Sequence, residues 1–289
     1  MIGKSGSGSG RVRFYAFPVY GLKKDDPPPL KLSPHSTMMF RECRQQYKFH
    51  YIDKLGAQFF RSKPYLTMGN HVHATLRDLF SMVPPEDRTK ETTEKLLRHN
   101  WQKCRIGFKN EEDERRWGEK AMAQLECFLL QSDSSAIPYM VEKTIEVEIT
   151  PGVILRGRID RVDKETDGSL HIIDYKTGNP PEQVDWEQLY LYALMLSRRG
   201  SFTVKKASLY YLATGEVCTT LLDQDEIEQA TWDLLVTAKE IRTERFFFAT
   251  PGSGCRRCDF VSVCPAKNAG VTADSRNSIR PHYIERSSD

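Results

Sequence analysis

Gly157-Arg158-Ile159-Asp160-Arg161-Val162-Asp163 and, shortly after it, Ile172-Ile173-Asp174-Tyr175-Lys176-Thr177-Gly178 are the stretches whose reading decides the fold. Both have the length and apolar content of strands, and Asp167-Gly168 between them is a hairpin turn signal. Residues two apart on a strand share a face, so Asp174 and Lys176 point the same way. Asp160 lies on the preceding strand and can sit beside them. Two carboxylates and an ammonium would then converge at one end of a sheet. Carboxylate oxygens suit Mg²⁺ or Mn²⁺, which keep positions open for water and phosphate oxygens. A lysine there can stabilise phosphate charge or orient an attacking water. A plain surface Asp–Lys pair has the same spacing. Ile172 and Ile173 argue instead for burial, where charges seldom sit unless used.

Working outward, residues 139–149 alternate, with Val141, Lys143, Ile145, Val147 and Ile149 on one side and Glu142, Glu146 and Glu148 on the other. Strands are expected over 153–163, 170–176, 202–212 and 216–222, and helices over 183–199 and 224–245. Upstream, Ser33 can cap a helix with Pro34 in its first turn, running to about Leu55. A second helix fits 70–82 and two more fit 89–132. Residues 11–20 alternate like an edge strand. The order argues an α/β (α+β) fold, with a mixed sheet flanked by helices and a helical N-terminal part. The expected organisation is a flexible linker or cloning scar over 1–10 and one domain over 11–268. That domain divides into a helical part (33–132), a core (139–245) and a cysteine loop (250–268); a polar tail follows over 269–289.

Two further features fit the carboxylate site. His73 follows Gly69 by four on the second helix, and a neutral imidazole is a ligand that favours Mn²⁺. A lone helical histidine is also commonly structural. Gln188 and Tyr192 are i and i+4 on one helix face; packing explains the tyrosine more easily than the glutamine.

These motifs occur in the order Gly69-x-x-x-His73, G-R-I-D-R-V-D, I-D-Y-K-T-G and Gln188-x-x-x-Tyr192. Together they resemble the RecB-like branch of the PD-(D/E)-x-K nuclease superfamily, over roughly residues 33–268. The resemblance implies a restriction-endonuclease-like fold. It implies that His73, Asp160 and Asp174, with the backbone carbonyl of Tyr175, are metal ligands and that Lys176 is catalytic. Gln188 and Tyr192 would shape the site and contact the DNA backbone. Ile159 stands where the family name has proline, and Glu142 and Glu146 are candidate acidic neighbours.

Cys255-x-x-Cys258 followed by Cys264 forms a chelate that lacks one ligand. Cys43, far upstream, is the candidate, leaving Cys104, Cys127 and Cys218 as packed thiols. A [4Fe–4S] cluster, a structural Zn²⁺ and free cysteines all remain open on spacing alone. The same branch contains AddB-type nuclease domains, CRISPR-associated RecB-like exonucleases and exonuclease V proteins. In them one cysteine before the nuclease motifs and three after hold an iron–sulfur cluster. By that resemblance Cys43, Cys255, Cys258 and Cys264 would tie the N-terminal helices to the C-terminal loop.

The 289 residues are 39% hydrophobic and 28% charged, a packed rather than disordered composition, and the net charge of +3 neither demands nor excludes a nucleic-acid partner. Arg156, Arg158 and Arg161 near the site, and Arg41, Arg44, Lys48, Arg256 and Arg257 near the cysteines, are candidate phosphate contacts. Tyr47, Phe49, Tyr51, Phe59 and Phe60 are candidate stacking faces for a single strand. No secretory leader or membrane span is read, so the expected compartment is cytoplasmic. The expected activity is a metal-dependent DNA exonuclease acting on single-stranded ends, with a helicase, CRISPR or repair partner left open. The alternatives are a structure-specific endonuclease and a non-catalytic DNA-binding or assembly subunit.

Overall fold

The chain is seen in a computed structural model that describes residues 28–200 and 202–267. Its centre is the expected meander: β2 (Met140–Thr150), β3 (Val153–Lys164) and β4 (Leu170–Lys176). A short β1 (Leu30–Leu32), not foreseen from sequence, lies parallel to β3 with Leu30 opposite Val153. β5 (Val204–Tyr211) runs parallel to β4, and β6 (Glu216–Leu221) closes the edge antiparallel to β5. The parallel β4–β5 step needs a crossover, which α7 (Glu187–Arg199) provides. The sheet is therefore mixed, as expected. The possible strand over 11–20 lies outside the described residues.

Helices cover both faces. α7 buries Leu189, Tyr192, Ala193 and Leu196, and α8 (Gln224–Thr243) buries Leu234, Ala238 and Ile241. With α1 (Pro34–Glu42) they enclose the larger core around Ile145, Leu155, Ile159 and Ile172. The second core joins α4 (Pro64–Met82), α5 (Lys90–Lys103) and α6 (Glu111–Gln131) to Tyr175 and Tyr210 on the other face. Among the described residues no helix is long and apolar enough to cross a membrane.

Three boundaries depart from expectation. The first helix does not run unbroken to Leu55. Ser33 caps it through the Ser36 N–H, but Cys43 adopts an extended backbone (φ −156°, ψ 105°) and ends it. The chain restarts as α2 (Arg44–Tyr47), passes through a wide π-type turn (Lys48–Ile52), and forms the short α3 (Gly56–Phe59). α4 begins at Pro64 rather than residue 70, because a proline is well suited to a first helical turn. α7 starts at Glu187 rather than Gln183, where the Asp185 carboxylate accepts the Glu187 N–H.

Gly157 is where helix and sheet approach most tightly near the site. A Cβ there would lie 2.6 Å from Cε1 of Tyr192. The expected result for Gly157→Ala is a loss of about 1–3 kcal/mol, since overpacking forces ring or backbone to shift. A lowered urea midpoint at unchanged m-value checks it.

Candidate active site at a strand fork

β3 and β4 pair only between Arg161–Lys164 and Leu170–Ile173. Beyond that point β4 continues with β5, as far as Lys176 opposite Tyr211, and parts from β3. At the fork the Tyr175 N–H donates to Asp160 Oδ2 at 2.9 Å, a carboxylate standing in for a ladder carbonyl. The fork thus brings Asp160 and Asp174, 6% and 4% exposed, to the head of the hairpin.

α4 supplies His73 from one side. Its Nδ1 is 3.4 Å from Asp160 Oδ2 and 3.6 Å from Glu142 Oε1. One ligand atom from each of the three lies within 4.8 Å of the others. Glu142 reaches the group from β2 with a left-handed backbone, φ +47°, and its other oxygen is 2.8 Å from Arg158 Nε. Such a conformation is costly for a side-chain-bearing residue and clusters at functional sites. Burial disfavours the His73 imidazolium, but the two facing carboxylates of Asp160 and Glu142 outweigh it and lift the pKa to about 10. Nδ1 is buried and makes no well-formed hydrogen bond. A nitrogen in that position, facing two carboxylates, marks a pocket for a cation. A proton is one occupant; a divalent metal, which takes the neutral imidazole and ionised carboxylates, is the other. The donor set therefore fits Mg²⁺ or Mn²⁺.

α7 supplies the opposite side. Lys176 Nζ is 2.6 Å from Asp174 Oδ2 and donates to Gln188 Oε1 at 3.0 Å. The Gln188 amide nitrogen donates to Asp174 Oδ1 at 3.1 Å and to Tyr192 Oη at 2.8 Å. One amide thus holds both the carboxylate and the ammonium. Burial pushes the Asp174 carboxyl upward and the neighbouring Asp160 adds to it, against the pull of Lys176 and His73. Burial and Asp174 likewise raise the Tyr192 phenol, which keeps its proton.

These groups line a cleft of about 860 Å³. Tyr175 lines it too, yet its ring packs on the far face against Phe128 and Tyr210, so its backbone is what it offers there. His71 is turned away, bonded to the Cys104 carbonyl at 2.7 Å.

Several sequence candidates fall elsewhere. Arg161 does not line the cleft and is corrected from a DNA contact to a buried structural cation. It is 5% exposed, clamped by Asp163 at 2.7 Å, with its guanidinium 4.3 Å over the Phe80 ring. Arg158 does line the cleft, and its side chain is 60% exposed. Arg41 is held by Glu187, Arg44 by Glu240 and Glu244, and Lys48 by Asp53. Tyr47 is buried, while Phe49 and Phe59 are half-buried with their rings packed on Phe260; Phe60 is exposed but does not line the cleft. Sequence reasoning undervalued Glu142, whose signal was its place across the hairpin from Asp160. It missed Tyr65 and Leu66, which a helix begun at Pro64 would have put about two turns before His73.

The cysteine loop folds back onto the N-terminal helices. Phe260 packs on Phe49 and Phe59 at 5.4 and 6.0 Å between ring centroids. Lys63, capping α4, donates to the Arg257 carbonyl at 2.8 Å and pairs with Asp259 at 3.0 Å. Burial raises the Cys258 thiol, and Cys43, Cys255 and Cys264 each add to the shift, so all four thiols are within electrostatic reach. All four are unbridged and half-buried, and the Gly252 N–H approaches Cys255 Sγ at 3.4 Å. These four thiols are the donors a thiolate-held centre would use, although among the described residues only His73, Glu142 and Asp160 bring ligand atoms within 4.8 Å of one another.

Comparison with known proteins follows the same lines. The profile of the PD-(D/E)XK nuclease superfamily matches residues 31–265. An ATP-dependent helicase/deoxyribonuclease subunit of Streptococcus mutans is 27% identical over 221 residues, 70% of this chain and 20% of that protein. Its Streptococcus agalactiae counterpart is 24% identical over 165 residues, 56% of this chain and 15% of that protein. The match thus spans a fifth or less of these curated relatives. A crystal structure from Eubacterium rectale, described as that of a candidate exonuclease, superposes with a TM-score of 0.49 at 11% identity, covering 86% of this chain and 90% of that one.

Proposed function

Because this chain belongs to the PD-(D/E)XK nuclease superfamily, we propose that it is a divalent-metal-dependent deoxyribonuclease that hydrolyses phosphodiester bonds at single-stranded DNA ends. The observation that carries the reading is the His73–Asp160–Glu142 group, gathered around the buried Asp160 beside the Asp174–Lys176 pair at the fork. His73, Asp160 and Asp174, with the Tyr175 carbonyl, would hold the metal, and Glu142 joins them as a neighbour. When bound, a divalent cation supplies charge neutralisation at phosphate and a water of lowered pKa. Lys176 lines the cleft and has one ammonium proton beyond its bonds to Asp174 and Gln188, which would serve a phosphate oxygen or a water. Gln188 and Tyr192 keep that geometry preorganised, and Arg158 at the rim attracts the polyanion.

Cys43, Cys255, Cys258 and Cys264 are read as ligands of a [4Fe–4S] cluster, with Zn²⁺ as the other occupant to test. A zinc ribbon usually supplies paired C-x-x-C motifs, whereas here the fourth cysteine is solitary and distant. One domain over 11–268, closed through that centre, is the organisation this implies. The helicase/deoxyribonuclease name of the streptococcal relatives supports work alongside a helicase.

The direct test is degradation of end-labelled linear single strands with Mg²⁺, Mn²⁺ or EDTA, beside circular single strands. Loss of linear DNA alone, only with metal, is the expected result. Cleavage of circles assigns an endonuclease instead, and no cleavage with either metal overturns the reading. Gln188→Leu is expected to lower turnover about 10- to 100-fold, because it frees Asp174 and Lys176 from their shared clamp. Single-turnover rates at saturating DNA check it, and an unchanged rate would remove Gln188 from the site.

A further inference from the structure

Two parts of the cleft lining differ in chemistry. The part from β3, β4 and α7 presents Arg158, Lys176 and Gln188, groups matched to phosphate. The first half of α1 and the first turn of α4 add Met38, Tyr65 and Leu66 to the lining. These three are 43%, 45% and 39% exposed, while Met39, Phe40, Met68 and Val72 on the same helices are 7% exposed or less. Apart from Met82 at the far end of α4, large apolar exposure on these two helices is confined to the cleft. A polyanion gains nothing from such a lining along its phosphates. Exposed apolar surface gathered in a groove marks contact with another apolar face, and the apolar faces of a nucleic acid are its bases.

The spacing along α4 sets where that contact falls. Leu66 and His73 are two turns apart on one stripe, and Tyr65 lies beside Leu66. At 1.5 Å rise per residue they stand roughly 10–12 Å from His73.

We propose that Tyr65, with Leu66 and Met38, forms a base-stacking subsite for an unpaired nucleotide adjoining the one at the scissile phosphate. The subsite is what selects single strands over duplex, and this rests on the nuclease reading above. In a duplex the base faces are covered by their neighbours and only edges are offered. A tyrosine face can be used only by a base that has left the stack. None of the aromatics expected from sequence to stack on a single strand (Tyr47, Phe49, Tyr51, Phe59 and Phe60) lines this cleft, whereas Tyr65 does.

The test uses the full chain carrying Asp174→Asn, so that DNA stays intact, and short oligothymidylates with one 2-aminopurine moved along the strand. Stacking quenches that fluorophore. The expected result is quenching at one position, lost in Tyr65→Ala and restored in Tyr65→Trp. Single-strand Kd is expected to rise about 5- to 100-fold in the alanine variant, with duplex affinity unmoved. With Asp174 intact, KM for single strands should rise more than kcat falls. An alanine variant with parental quenching and affinity overturns the subsite while leaving the nuclease reading in place. Absence of cleavage by the parent chain with either metal overturns the nuclease reading itself. Parental melting of Tyr65→Ala, expected for a residue this exposed, shows that any loss is not unfolding.

Discussion

Asp174→Asn is expected to lower DNA cleavage by about 10³-fold or more while leaving a folded protein that still binds DNA. A loss of that size is about 4 kcal/mol of transition-state stabilisation, within what a metal-organising carboxylate supplies. Stability should move the other way. The Asp174 carboxyl is pushed up by burial and by Asp160. A carboxyl with a folded pKa above its unfolded value weakens the folded state as pH rises from the unfolded pKa to the raised one, and the full cost is present at neutral pH. Replacing it with an amide removes the buried negative charge and keeps an acceptor for Lys176. Without metal, the urea midpoint of Asp174→Asn at neutral pH should equal or exceed that of the parent. Cleavage at the parental rate would remove Asp174 from the site, and a collapsed midpoint would make it a structural residue.

Cys258→Ala is the second large effect, and it acts on the fold. A centre joining Cys43 to Cys255, Cys258 and Cys264 closes a loop of more than 200 residues. By the chain-entropy estimate used for cross-links, closing such a loop is worth about 5 kcal/mol, a large share of a typical domain's stability. The described contacts that hold the loop otherwise include Phe260 against Phe49, His50 and Phe59, and the Lys63 clamp on Arg257 and Asp259. Iron content, visible absorbance and melting temperature should fall together in Cys258→Ala. Cys104→Ala, which removes a thiol outside the group, should keep all three near parental values. A parent chain that is colourless and metal-free yet melts cooperatively at the same temperature as Cys258→Ala would sink the centre. Zinc in place of iron would change its identity and leave the closure intact.

The two effects meet on one helix. Lys63 fastens the cysteine loop to the start of α4, and His73 sits nearly three turns further along it. A loop that comes loose therefore disturbs the end of the helix that carries the stacking wall before it disturbs the ligand. Partial loss of the centre should raise KM for single strands before it lowers kcat.

The hairpin of β3 and β4, the crossover through α7 and the helical first third were legible because each rests on local rules. Alternation, a turn dipeptide and helical spacing act over a few residues. The pairing of Asp174 with Lys176 was legible for the same reason, since a strand's period of two places them on one face. Arg161 was misread because adjacent strand residues face opposite ways, and only the packing showed that Phe80 and Asp163 wait on the far side. The break at Cys43 was missed because nothing in its neighbours forbids a helix; its extended backbone lies where the C-terminal loop folds back.

The sequence by itself determined the order of elements, the face shared by Asp174 and Lys176, and the count of thiols available to a metal centre. It took the packed chain to show that β3 and β4 part at Asp160, that Glu142 rather than Glu146 joins His73, and that Tyr65 and Leu66 stand exposed in the cleft that Lys176 lines. The physical reason is range. Local periodicity is written in neighbouring residues. The meeting of β2, α4 and the hairpin depends on how two cores pack against opposite faces of one sheet.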